Sequence, residues 1–153
     1  MSENPLSEYF KKPGIYVKLP SEGNYYDEDI NLTSTGEIEI LPMSAKDEMH
    51  FKSPDALLNG ESLIKVITNC VPGIKNPKEI PLPDLSAILI GLRIATYGNN
   101  MTVFNSCPSC QNSDETTYDI TGLLDNAGAI TTDNTISINK ALIYAKPYTL
   151  ALH

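Results

Sequence analysis

The sequence has no tryptophan, and aromatics make up only 7% of it, most of them tyrosine. A core built from it is aliphatic, and the tyrosines, each an apolar ring with a polar tip, are available for contacts. Histidine occurs only at His50 and His153. The motifs G-x-S-x-G and H-E-x-x-H and the glycine-rich phosphate loop are all missing. Hydrolytic chemistry groups a nucleophile with a base and an orienting acid, and no stretch of this chain does so. Long apolar runs are lacking too. The best candidate, LSAILIGLRIATYG at 85–98, is broken by Arg93 and is shorter than the roughly 18 residues a spanning helix needs. The opening MSENPLSEYFKKPG has no apolar stretch of the signal-peptide kind, so none is expected. Positive charge is scarce, with 11 Lys and Arg against 19 Asp and Glu for a net charge of -8. An acidic surface repels phosphate backbones and anionic lipid, so neither a nucleic-acid partner nor membrane insertion is expected. The three cysteines, Cys70, Cys107 and Cys110, are an odd number without a secretion signal. That does not read as a disulfide framework, and it fits a reducing cytosol.

What is present is an ordinary globular balance, 41% hydrophobic and 20% charged over 153 residues, enough for one domain with its own core. Residues 1–13 read as a mobile arm and 14–153 as a single α+β domain. Ile15, Val17 and Leu19 alternate with Tyr16 and Lys18, and Glu37–Leu41 alternates again. These are two period-two strands of a small N-terminal sheet. Pro20-Ser21-Glu22-Gly23-Asn24 breaks the first with turn chemistry.

The middle reads as a short helical core. Ser44 followed by Asp47 is a capping-box variant that starts a helix through Met49 and Phe51. Ser53-Pro54-Asp55 starts a second, stopped by Asn59-Gly60. Glu61–Cys70 places Leu63, Ile64, Ile67 and Cys70 on one helical face, and Val71-Pro72-Gly73 ends it. Asp84–Tyr97 is the strongest helix, with Leu85, Ile88, Leu89, Leu92 and Ala95 or Thr96 as the expected buried stripe and Gly98 placed to cap it.

The last third is β-rich. Met101–Phe104 and Thr116–Ile120 frame Cys107-Pro108-Ser109-Cys110, so 99–120 reads as a zinc-knuckle-like hairpin with a CPxC tip. Thr121–Leu124 and Asn126–Ala129 read as loop or a single turn. Thr135–Ile138 and Leu142–Tyr144 form a further strand pair. Cys107 and Cys110 are the metal candidates, because two thiolates on a tight turn are half of a tetrahedral zinc site. The usual second CxxC is absent, and Cys70, His50 and His153 are the remaining ligand types. The hairpin therefore reads either as a structural zinc site or as a metal-free knuckle. A redox role lacks the expected βαβ surroundings.

The residues that read as partner contacts are Tyr25, Tyr26, Phe51, Arg93 and Tyr97. The acids at 27–29 behind the tyrosine pair read as a solvated turn. Alanine at Tyr25 and Tyr26 is expected to weaken docking and leave the fold intact. Arg93 either lays its stem on the surface or pairs with Asp47 or Glu48 to fix helix docking.

IYVKLPSEGNYY at 15–26, LPMSAKDEMHFKSPDALLNGESLIKVITNCVPG at 41–73, and DLSAILIGLRIATYGNNM at 84–101 leading into the CPSC hairpin together resemble the T-even-type baseplate hub protein family of contractile-tailed phages. The resemblance covers roughly residues 13–120. It implies a non-enzymatic part of the tail baseplate hub that acts by protein–protein docking. Implied partners are other hub and tail proteins, with the tape-measure protein as a further candidate, in several copies of a symmetric assembly. It also implies structural or contact roles for Pro20, Ser21 and Gly23, for Asp47-Glu48, for Ser53-Pro54, and for Arg93, Tyr97 and Gly98. The stop just after the apolar-rich YTLAL reads as docking onto a partner or as a truncation, and the resemblance implies a family that runs longer at the C-terminus. The rival readings are a tail assembly chaperone absent from the mature virion and a zinc-ribbon-like adaptor. No cofactor is implied apart from the zinc candidate.

Overall fold

The computed structural model describes residues 14–28, 30–52, 60–125, 128–130, 134–139 and 141–150. The fold is mixed α+β. Strands β1 (Ile15–Lys18) and β2 (Glu37–Ile40) pair antiparallel, with Ile15 opposite Ile40 and Val17 opposite Ile38. Strand side chains alternate between faces, so this register puts all four aliphatic residues on one face. Tyr16, Lys18, Glu37 and Glu39 lie on the other.

Helix α1 (Ala45–Phe51) begins at the expected capping box. The Ser44 side chain accepts from the Asp47 N–H, and the Asp47 carboxylate accepts from the Ser44 N–H at 3.0 Å. Helix α2 (Glu61–Cys70) ends at Val71, as expected. Its buried residues are Ser62, Val66, Ile67 and Cys70, with Leu63 packed beside them. Ile64 instead faces the groove between α1 and α2. The predicted helix start at Ser53-Pro54 and the arm at 1–13 lie outside the described residues.

Helix α3 (Leu82–Tyr97) starts two residues earlier than the sequence indicates, with Pro81 as its N-cap residue. Gly98 closes it, its N–H bonded to the Ile94 carbonyl. The buried stripe is rotated from the expected one. Asp84, Ala87, Gly91 and Ile94 are inside along with Leu85, Ile88 and Leu92. The cause is the close approach of the helix to the β1–β2 sheet. A Cβ on Gly91 would lie 2.5 Å from Ile40 Cδ1 and 3.0 Å from Val17 Cγ2. A glycine inside a helix costs about 1 kcal/mol relative to alanine, and here it lets the strands seat against the backbone. The core is Val17, Leu19, Ile38, Ile40, Val66, Ile67, Val71, Ile80, Ile88 and Leu92, all nearly inaccessible and all aliphatic.

The rest of the chain is built differently. β3 (Asn100–Ser106) and β4 (Ser113–Asp119) form one antiparallel ribbon. After the single-turn helix α4 (Thr121–Asp125), β5 (Thr135–Ile138) and β6 (Ala141–Tyr144) form another. The strand pairs appear where the sequence places them, yet none of their residues is buried. Their attachments are at the base. Ile120 is buried at the foot of the first ribbon, and the Leu82 N–H bonds to the Tyr148 carbonyl at 2.9 Å beyond the second.

Candidate functional site

The turn at 20–25 is held by one carboxylate. Asp84, in the first turn of α3, is fully buried. It accepts from the Ser21 N–H at 2.8 Å, from the Ser21 hydroxyl, and from the Tyr26 hydroxyl at 2.9 Å. Burial raises the Asp84 carboxyl above the ordinary carboxylate range, and the donors of Ser21 and Tyr26 pull it only part of the way back. Burial and the Asp84 charge also push the Tyr26 hydroxyl far up, so it stays a donor. Glu22, Gly23 and Tyr25 all have positive φ. The three hydrogen bonds fix a turn that its own backbone disfavours. Tyr26 therefore has work inside the chain. Alanine there leaves a buried acceptor short of a donor, which corrects the expectation that the fold would be indifferent. Tyr25 is also engaged, its hydroxyl 2.5 Å from the Asn134 amide just ahead of β5.

Asp47 is the second buried carboxylate. Desolvation raises it, but hydrogen bonds from Ser44 and Asn69, together with His50, outweigh that and hold it below the ordinary range. A folded-state value below the unfolded one contributes stability above the ordinary carboxylate pKa, and this is lost as pH falls through that value toward the folded one. Asp47→Asn is expected to destabilise by about 1 kcal/mol at neutral pH, the size of a helix cap. In urea titrations across pH, the gap from the unsubstituted chain should close on acidification.

The remaining contact candidates lie apart from this turn. Phe51 is half-buried and packs on the core. Arg93 does not pair with Asp47 or Glu48. Its guanidinium donates to the Gly98 and Asn100 carbonyls at 3.2 and 3.1 Å and lies 4.8 Å from the centre of the Tyr97 ring. Tyr97 is 51% exposed, and its hydroxyl is raised chiefly by a hydrogen bond to Glu48. Arg93 and Tyr97 thus form one stacked surface unit at the foot of the β3–β4 ribbon.

At the tip of that ribbon the CPSC turn is closed by the Cys107 N–H to the Asn112 carbonyl at 2.9 Å and the Gln111 N–H to the Cys107 carbonyl at 2.8 Å. The amides of Cys110 and Ser109, then the Cys110 thiol, lower the Cys107 thiol from its usual value. Both cysteines are exposed, whereas Cys70 is buried in the core. Among the described residues no third His, Cys, Asp or Glu joins the pair, and His153 lies outside them.

The sequence gives no hint of how much apolar surface the two ribbons leave open. On β3–β4, Met101, Val103 and Tyr118 share a face, and Phe104 on the other is 75% exposed. On β5–β6, Ile136 and Ile143 pair directly and are 53% and 47% exposed, with Ile138 on the same face. Leu142, Tyr144 and Tyr148 add to this end of the molecule. Both segments read as strand pairs in the sequence, but whether a face is covered depends on tertiary contacts.

A family model described as T4 bacteriophage base plate protein matches residues 13–140. The chain belongs to that family. The match takes in everything from β1 through β5 and runs past the residue-120 limit of the sequence resemblance. No curated protein and no solved structure matches the chain. A T4-type base plate protein is a structural component of the phage tail, so its place is the virion tail and its partners are other tail and baseplate proteins. Among the described residues no helix is long and apolar enough to cross a membrane.

Proposed function

We propose that this base plate protein is a non-enzymatic subunit of the baseplate hub, acting by docking onto neighbouring hub and tail proteins in several copies. The observation that carries this reading is the pair of β-ribbons whose apolar side chains stand in solvent. Contiguous exposed apolar surface on a stable fold marks an interaction site. Isolated two-stranded ribbons are only marginally stable, so a covering partner also completes them. The stacked Arg93–Tyr97 unit at the foot of β3–β4 supplies the residue types that anchor interfaces. Tyr25 and Tyr26 at the turn, and Phe51 at the separate end of α1, are the further contact residues of this reading. Net negative charge keeps the free subunit soluble before assembly.

Mass spectrometry of purified virions tests this placement. A hub subunit is retained in stoichiometric amount. Absence from mature particles, with presence in assembly intermediates, indicates a chaperone that binds the tape-measure protein and leaves.

A further inference from the structure

The CPSC tip is half of a closed metal site. A structural zinc site takes four ligands in a tetrahedron, and Cys107 and Cys110 supply two. The turn between them is already organised. Two backbone hydrogen bonds close it, from the Cys107 N–H to the Asn112 carbonyl and from the Gln111 N–H to the Cys107 carbonyl. Both sulfurs stand at the outer end of a ribbon seven residues long on each strand, clear of the core. That position leaves them reachable by another macromolecule.

We infer that one Zn2+ joins two copies of this chain tip to tip, each copy contributing Cys107 and Cys110. Charge supports a second copy as the occupant. The chain as a whole carries -8, so most approaches of one copy to another are repulsive. The tip segment NSCPSCQNS at 105–113 holds no charged side chain, and the nearest acids, Asp114 and Glu115, follow it. Two tips can therefore meet without opposing like charges. A two-fold axis through the metal supplies the missing pair with the same turn geometry, the isologous arrangement of most homodimers. Each thiol gives its proton to solvent as it binds, so the metal sits in a four-thiolate shell. The clamp also secures the free end of a ribbon that has little packing of its own.

The test uses the full chain, stripped with a chelator under reducing conditions and titrated with Zn2+. Molar mass by light scattering and bound metal are measured together. The expected result is a doubling of mass with one zinc for every two chains. Co2+ in its place should give the visible bands of a tetrahedral thiolate site. Cys107→Ser and Cys110→Ser, both at exposed positions, should keep the melting temperature of the metal-free chain and lose both zinc and doubling. Failure to bind zinc overturns the inference, as does one zinc per chain with the mass unchanged. A dimer that persists in both serine variants also overturns it. None of these outcomes bears on whether the subunit is retained in virions, so the hub reading stands or falls separately.

Discussion

Asp84→Ala is expected to destabilise the chain by about 2–4 kcal/mol, because two donors of Ser21 and one of Tyr26 lose their only shared acceptor in a fully buried site. For a chain of this size the melting temperature should fall on the order of 10 °C. Opposing this, alanine removes the cost of holding a carboxylate away from water, visible in the raised Asp84 carboxyl. That relief is smaller than the loss, since the Ser21 N–H is fixed by the backbone and cannot turn elsewhere. Two milder variants separate the contributions. Tyr26→Phe removes one hydrogen bond and should cost about 1–2 kcal/mol. Asp84→Asn keeps an acceptor for the Ser21 N–H and lets the hydroxyls rotate to accept, so its cost should lie between the two. Thermal melts of the three variants should give Asp84→Ala the lowest midpoint. If all three melted with the unsubstituted chain, the turn at 20–25 would not depend on this carboxylate.

The second large effect concerns assembly. Ile136→Lys combined with Ile143→Glu places opposite charges on a directly paired cross-strand position, which preserves the ribbon. Both side chains are about half exposed, so the core should be unaffected and the melting temperature close to unchanged. Docking through that face buries the pair, and taking two charges out of water against an apolar partner surface costs more than their mutual attraction returns. Loss of a central interface anchor is worth about 2 kcal/mol or more, which is better than tenfold in occupancy. Complementation of a phage lacking the protein should then yield at least tenfold fewer assembled baseplates. An equal yield would place the docking surface elsewhere.

Local signals carried the sequence reading a long way. The capping box at Ser44 and Asp47, the period-two strands at 15–19 and 37–41, the Gly98 cap and both late hairpins follow from neighbours within a few residues. The Asp84 site does not, because Ser21 and Asp84 are 63 positions apart. In sequence an acid after Pro83 is a favourable charge at a helix start, and nothing local says that it faces inward. The rotated stripe of α3 has the same origin. Nothing in the sequence marks Gly91 as buried, and only the sheet packed against it shows why no larger residue sits there. The intrachain roles of Tyr25 and Tyr26 are equally non-local, since their hydroxyls bond Asn134 and Asp84, both far along the chain. The family resemblance rested on several segments in order, and it held across 13–140.

In a density map of the intact tail this chain should lie in the baseplate hub with β5–β6 and β3–β4 against other protein. A baseplate that holds the chain with both ribbons facing solvent would overturn docking through them.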